Sequence, residues 1–157
     1  MSRRTALLAA LVVIPATLFA KPPWISIELP ANPWNQETRG AFLVVRTYHY
    51  SSPASGTVTA RAVGLVNGER RELTLTLDRT ARPGEFVLRN QWGSAGRWVL
   101  VIEVAQGTPD NVAQAMVQIG EGGLIGAVQV PTRAEGQHQV PRRATQTEID
   151  AVLRAAG

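Results

Sequence analysis

The sequence predicts an all-β fold, a small antiparallel β-sandwich of about seven strands. Three observations carry that prediction. Between residues 24 and 120, short runs of apolar residues alternate with polar ones at a period of two. Turn-forming residues (Gly, Pro, Asn, Ser) separate these runs at short spacing. No stretch in the same region repeats its apolar residues at helical spacing.

The chain begins with a different kind of segment. Arg3 and Arg4 precede an apolar run over residues 6–20, which ends in the small residue Ala20. A basic start, an apolar centre and a small residue at the boundary form the pattern of a secretory signal. The run is shorter than the ~20 residues that span a bilayer, so cleavage after Ala20 is expected, leaving Lys21 as the new N-terminus. The alternative is an uncleaved anchor. No cysteine follows the run, which excludes lipid attachment at that side chain.

The strands follow in order. Residues 24–29 place Ile25, Ile27 and Leu29 on one face. Residues 41–49 form a longer strand rich in β-branched and aromatic side chains. Residues 57–63 group Val58, Ala60 and Ala62, and residues 71–77 alternate Leu73, Leu75 and Leu77 with threonine. A short strand over 85–89 carries Phe86 and Leu88. Residues 97–104 set Trp98, Leu100, Ile102 and Val104 on one face, and 112–119 do the same with Ala115, Val117 and Ile119. Asn67-Gly68 suits the positive φ values of a type I′ hairpin turn. Residues 53–56, Pro83-Gly84 and 93–96 read as loops. Trp98 therefore belongs to a core. Trp92, in the loop before it, reads as a lid over the sandwich end or, if exposed, as a contact surface.

Beyond Gly120 the pattern changes. Residues 121–144 read as a flexible linker or extra strand: 124–130 could pair, whereas 131–143 are polar and look disordered. Residues 145–157 form one short amphipathic helix. Thr145 and Glu148 make a capping box, and Ile149, Val152, Leu153 and Ala156 follow at helical spacing. The expected organisation is thus a signal peptide over 1–20, a sandwich over 21–120, the linker and the helix.

Charge and cysteine content narrow the function. The formal net charge is +4, and removing residues 1–20, with two arginines and no acids, leaves 4 − 2 = +2. The sequence pI of 10.6 reflects arginine, since Lys21 is the only lysine. So mild a charge on an exported chain gives no case for a nucleic-acid partner. With no cysteine, stability must come from packing rather than disulfides.

Pro83, Gly84 and Phe86, then Gly96, Trp98, Leu100 and Ile102, form a pattern that resembles the closing strands of small exported bacterial immunoglobulin-like domains of the YtkA-like type. Pro53, Gly56, Val58 and Ala60 are similar to the start of a middle strand in those domains and in transthyretin-like or carboxypeptidase-regulatory-like modules. The resemblance covers roughly residues 24–120. It implies a non-catalytic, extracytoplasmic immunoglobulin-like sandwich. Some such relatives handle copper, with methionine-rich ligands between the strand of Val58 and the next. Here residues 64–70 hold no Met, His or Cys, and Lys21 rather than His would begin the mature chain, so no metal ligand is carried over.

No catalytic motif stands out. His49, His138 and Met116 are the candidate borderline or soft ligands, without a paired-histidine motif. Ser51, Ser52, Ser55 and Ser94 read as turn serines, none in a nucleophile elbow. Glu28, Glu37, Glu69, Glu72, Glu85 and Glu103 are scattered over strand ends and outer faces. The glycines of 120–126 lack a strand-loop-helix setting. What remains is surface: Tyr48, His49 and Tyr50 beside Ser51, Ser52 and Pro53 make an aromatic and polar tip.

The expectation is an exported, non-enzymatic module of the bacterial cell envelope, periplasmic or secreted, without a cofactor. It would act as a protein-interaction or accessory domain, with another envelope protein as partner and no integral membrane span after signal cleavage. Tyr48, His49, Tyr50 and Trp92 are the candidate partner-binding residues. A periplasmic copper carrier is one alternative. A small hydrolase would need His49 to meet a carboxylate. A carbohydrate-binding module would need a flat platform of Trp24, Trp34 or Trp92.

Overall fold

A computed structural model describes residues 21–54 and 56–156. The expected signal segment, residues 1–20, lies outside the described residues, as does Ser55. The first strands are β1 (Trp24–Glu28), β2 (Leu43–His49), β3 (Ser52–Pro53) and β4 (Thr57–Val66). Then come β5 (Glu69–Leu75), β6 (Leu77–Arg79), β7 (Glu85–Leu88), β8 (Arg97–Ala105) and β9 (Val112–Ile119). A 3₁₀ turn at Glu121–Gly123 leads to β10 (Ile125–Gln129), β11 (Thr132–Glu135), β12 (His138–Pro141) and α1 (Gln146–Ala155).

The strands form two sheets and a separate hairpin. One sheet has the order β1-β2-β7-β6, with β3 also on β2; the other runs β10-β9-β8-β4-β5. Neighbouring strands are antiparallel throughout. This is the immunoglobulin-like arrangement, in which the first, second, fifth and fourth strands of the sandwich face a sheet built on the third, sixth and seventh. The chain changes sheets between β5 and β6, at Thr76. There the Gln91 side chain stands in for a neighbouring strand. Its Oε1 accepts from the Thr76 N–H at 2.9 Å and its Nε2 donates to the Thr76 carbonyl at 2.8 Å.

The core lies between the sheets. Leu43, Val45, Phe86 and Leu88 from one face Ala62, Trp98, Leu100, Ile102 and Val117 from the other. Gly64 makes room for Trp98: a Cβ on it would lie 2.2 Å from the indole. The indole N–H is satisfied by the Ala95 carbonyl at 3.0 Å. Asn67 and Gly68 take φ values of 53° and 80°, as the expected type I′ turn requires. Trp92 is only 6% exposed and stands edge-on to Phe42, ring centroids 4.9 Å apart. Its place as a candidate partner-binding residue is therefore corrected. Its ring closes the end of the core, where burial of a large apolar surface outweighs anything a rim contact would gain.

The second sheet is also covered on its outer face. Ile149, Val152 and Leu153 of α1 pack on Val63, Val99, Val101 and Met116. The capping box forms as the sequence predicts, with the Thr145 hydroxyl accepting from the Glu148 N–H and the Glu148 carboxylate accepting from the Thr145 N–H. A helix this short gains its stability from docking. Polar clips fix it: Gln118 Nε2 donates to the Val152 carbonyl at 3.0 Å, and Arg70 pairs with Asp150 at 2.5 Å.

The expectation of disorder over 131–143 is overturned. β11 and β12 form a regular hairpin, closed by the Arg142 N–H on the Pro131 carbonyl at 3.0 Å and by Arg142 Nε on the Thr132 carbonyl at 3.0 Å. Polar composition misled because this hairpin is stabilised by ladder bonds and by its anchored ends rather than by apolar burial. The predicted extra strand is β10, paired on β9.

Candidate functional site

The sandwich end at which β1 begins carries the aromatic tip. Trp24 lies opposite Tyr48 across the β1–β2 pair, and Tyr48 lies opposite Pro53 of β3. Tyr50, at φ 57°, and Ser51 turn the chain from β2 into β3. Few non-glycine residues sit in that region, and an aromatic residue held there projects from a constrained turn. Tyr50 is 63% exposed, its ring edge-on to His49 at 4.6 Å between centroids. Lys21 Nζ lies 5.5 Å from the centre of the Tyr50 ring.

Backbone bonds lock this hairpin to its neighbours. The Thr47 N–H donates to the Gly84 carbonyl and the Ala54 N–H to the Thr47 carbonyl, both at 2.9 Å. Beside it a groove of about 260 Å³ is lined by Arg46, Tyr48, Pro53, Arg82, Pro83 and Glu85. Glu85 is buried, its carboxylate held by Arg46 Nε at 2.8 Å and by the Thr80 hydroxyl at 3.0 Å. Arg46 also reaches Glu28 at 2.7 Å. The Arg46 hydrogen bond, helped by the Asn32 N–H, holds the Glu28 carboxyl below its ordinary range; Glu28 and then Glu85 raise Arg46 in return. These charges satisfy one another, so the groove offers a braced wall rather than a free acid or base.

The three tip residues predicted from sequence are brought together, and Trp92 lies elsewhere, in the core. His49 Nε2 is buried with no hydrogen-bond partner among the described residues. A hydrolase would need a nucleophile or an orienting carboxylate at that imidazole, and Nε2 bonds to neither among the described residues. His138 sits on the exposed hairpin strand β12, and Met116 is buried under α1. Among the described residues no three of His, Cys, Asp and Glu converge as metal ligands would. The tryptophans form no common platform. Trp92 is buried; Trp24 begins β1 at one end, and Trp34, 88% exposed, lies in the loop that follows β1 at the other.

Two features escaped the reading of the sequence. Lys21 and Trp24 extend the aromatic tip, which only strand register reveals. The second is the exposure of the expected extra strand, β10, which is an edge strand of its sheet and exposed along its whole length. Leu124, Ile125 and Val128 stand in solvent there, next to a groove of about 400 Å³ between β10 and the end of α1. The signal available in sequence was an apolar run, 124–130, with nothing assigned to cover it.

Comparison of the chain with protein families, with curated proteins and with solved structures finds no match.

Proposed function

We propose that the chain is an exported, non-enzymatic immunoglobulin-like module, periplasmic or secreted, that serves the bacterial cell envelope by binding another envelope protein. The observation that carries this reading is β10. An open strand edge with exposed Leu124, Ile125 and Val128 offers unpaired backbone groups and apolar side chains together. Such an edge is what a partner strand adds to, backbone bonds giving affinity and alternate side chains giving selectivity. Exposed apolar residues grouped on one edge are the usual mark of an interaction surface. The basic and apolar N-terminal segment supports export, and the YtkA-like motif spacing supports an accessory role.

The copper-carrier reading gains nothing from the geometry, since no ligand set converges among the described residues. The sugar-binding reading lacks its platform, because Trp92 is buried and Trp24 and Trp34 lie apart. The aromatic tip is a separate surface, on which Tyr50 is exposed and Tyr48 and His49 are half-buried.

A photo-crosslinker placed at Val128 tests the proposal in intact envelopes. It should yield one dominant adduct, lost in an Ile125→Arg variant that keeps the parent's unfolding temperature. Adducts from exposed Glu135 but none from Val128 would point to a different surface.

A further inference from the structure

Of the edge strands of the two sheets, only β10 lacks both charge and proline. On β5 the run from Glu69 to Glu72 is charged throughout, β6 holds Asp78 and Arg79, β1 holds Glu28 and β3 holds Pro53. Charges and prolines are the devices that keep one strand edge from pairing with another. Residues 122–132, around β10, carry no charge, and the first charges beyond them are Glu121 on one side and Arg133 on the other.

β10 is also symmetric about its bulge. Ile125 lies opposite Ile119 and Val128 opposite Val117, so Gly126 and Ala127 together face the single residue Gln118. Gln118 points toward α1, where its Nε2 holds the Val152 carbonyl, and its Oε1 accepts from the Ala127 N–H at 3.1 Å. A Cβ on Gly126 would lie 2.3 Å from the same Oε1. Ile119 and Val117 belong to the core between the sheets, so Ile125 and Val128 share the core side. The order along β10 is core side, two bulge residues, core side, and it reads the same in both directions. Ile125 and Val128 are nevertheless 47% and 45% exposed, because the facing sheet ends at β1, which packs over β8 and β9.

We propose that β10 pairs with β10 of a second copy of this chain, antiparallel about a two-fold axis between Gly126 and Ala127. The proposal rests on the reading of β10 as a binding edge and deepens it by naming the protein bound there. A two-fold pairing makes each contact twice. Ile125 then lies opposite the partner's Val128 on the core side, an aliphatic pair on each side of the axis, and the two bulges oppose each other. A shift by one residue would set core-side residues against helix-side ones. The acidic end of each strand, at Glu121, comes beside the basic end of the other, at Arg133. The two five-stranded sheets join as one of ten strands.

The chain has no cysteine, so engineered disulfides can read the register. Opposed residues of an antiparallel pair have Cα atoms about 4.5–5.5 Å apart, within disulfide reach. Ile125→Cys and Val128→Cys chains, isolated from envelopes, tagged with different masses and mixed, should link to each other under mild oxidation. Either alone should link at least about fivefold less, since each residue and its own copy stand about 10 Å apart along the strand. Sedimentation of the parent chain should show a dimer at about 100 μM. Ala127→Lys should weaken it at least about tenfold, by setting like charges beside the axis, without changing the unfolding temperature. Glu121→Lys should weaken it too, and adding Arg133→Glu should restore it. A parent chain that stays monomeric at that concentration would overturn the proposal. So would linking of Ile125→Cys to Glu135→Cys as readily as to Val128→Cys. A photo-crosslinker at Val128 in envelopes separates this proposal from the binding edge itself. An adduct with a different protein overturns the second copy alone, and no adduct overturns both.

Discussion

The two faces of β8 are both buried, yet they are held by different means. Trp98, Leu100, Ile102 and Val104 face the opposing sheet, inside a core drawn from both sheets. Val99 and Val101 face α1, a single ten-residue helix reached through a long connection. The first face is covered by strands that are part of the ladder, so losing it means unfolding the domain. The second is covered by an element outside both ladders, whose loss should leave both sheets in place. A mutation in the inner core should therefore register at full strength, whereas one under α1 can cost no more than the docking energy of the helix.

The inner face gives the largest expected effect. Trp98→Ala should destabilise the domain by about 3–5 kcal/mol in denaturant unfolding, as large cavities do. Gly64→Ala should approach that, because a Cβ there meets the Trp98 ring and the surrounding sheet cannot yield easily. A Gly64→Ala loss below about 0.5 kcal/mol would mean that the indole has room to move.

Deleting residues 144–157 should leave the sandwich folded while exposing Val63, Val99, Val101 and Met116. The near-ultraviolet signal of Trp92 and Trp98 should persist, with new binding of a hydrophobic dye. At most, roughly 1.5–3 kcal/mol is at stake for each of Ile149, Val152 and Leu153, before the entropy of ordering the helix is subtracted. Loss of the tryptophan signal would show that α1 is integral to the core.

Acid should separate the two faces more gently. Arg142, and then the Thr145 N–H, hold the Glu148 carboxyl down from 4.5 to about 2. Arg70 lowers Asp150 in the same way. A lowered folded value means stability that is complete above the unfolded value and drains as pH falls toward the folded one. Between about pH 4.5 and pH 2 the helix should loosen ahead of the sheets, seen as exchange broadening of its amide resonances. Glu148→Gln should flatten that pH dependence.

The smallest effect is expected at exposed pairs. Arg61→Ala breaks a 2.8 Å bridge to Glu72 on the open surface of the second sheet. Its cost should be within about 1 kcal/mol.

The strands of the sandwich were legible because their alternation reports one buried face each. The Asn67-Gly68 turn and the Thr145–Glu148 cap were legible because each depends on local chemistry alone. What was missed depends on distant partners. Val63, Val99, Val101 and Met116 break the alternation, and that was the available signal that something covers the outer face. The β11–β12 hairpin contains little apolar surface, so no pattern of burial announced it. The crossing at Thr76 relies on the Gln91 side chain, fifteen residues away. At the aromatic end, Tyr48, His49 and Tyr50 were legible as a tip, but Trp24 joined them only through strand register.

Amide hydrogen exchange on the full chain tests the three-layer arrangement most directly. Residues 149–153 should exchange well below the rate of an unstructured chain, through an opening easier than that of β8, and should quicken when Arg142 is replaced by alanine. Exchange of those amides at unstructured-chain rates while β8 stays protected would contradict a docked helix.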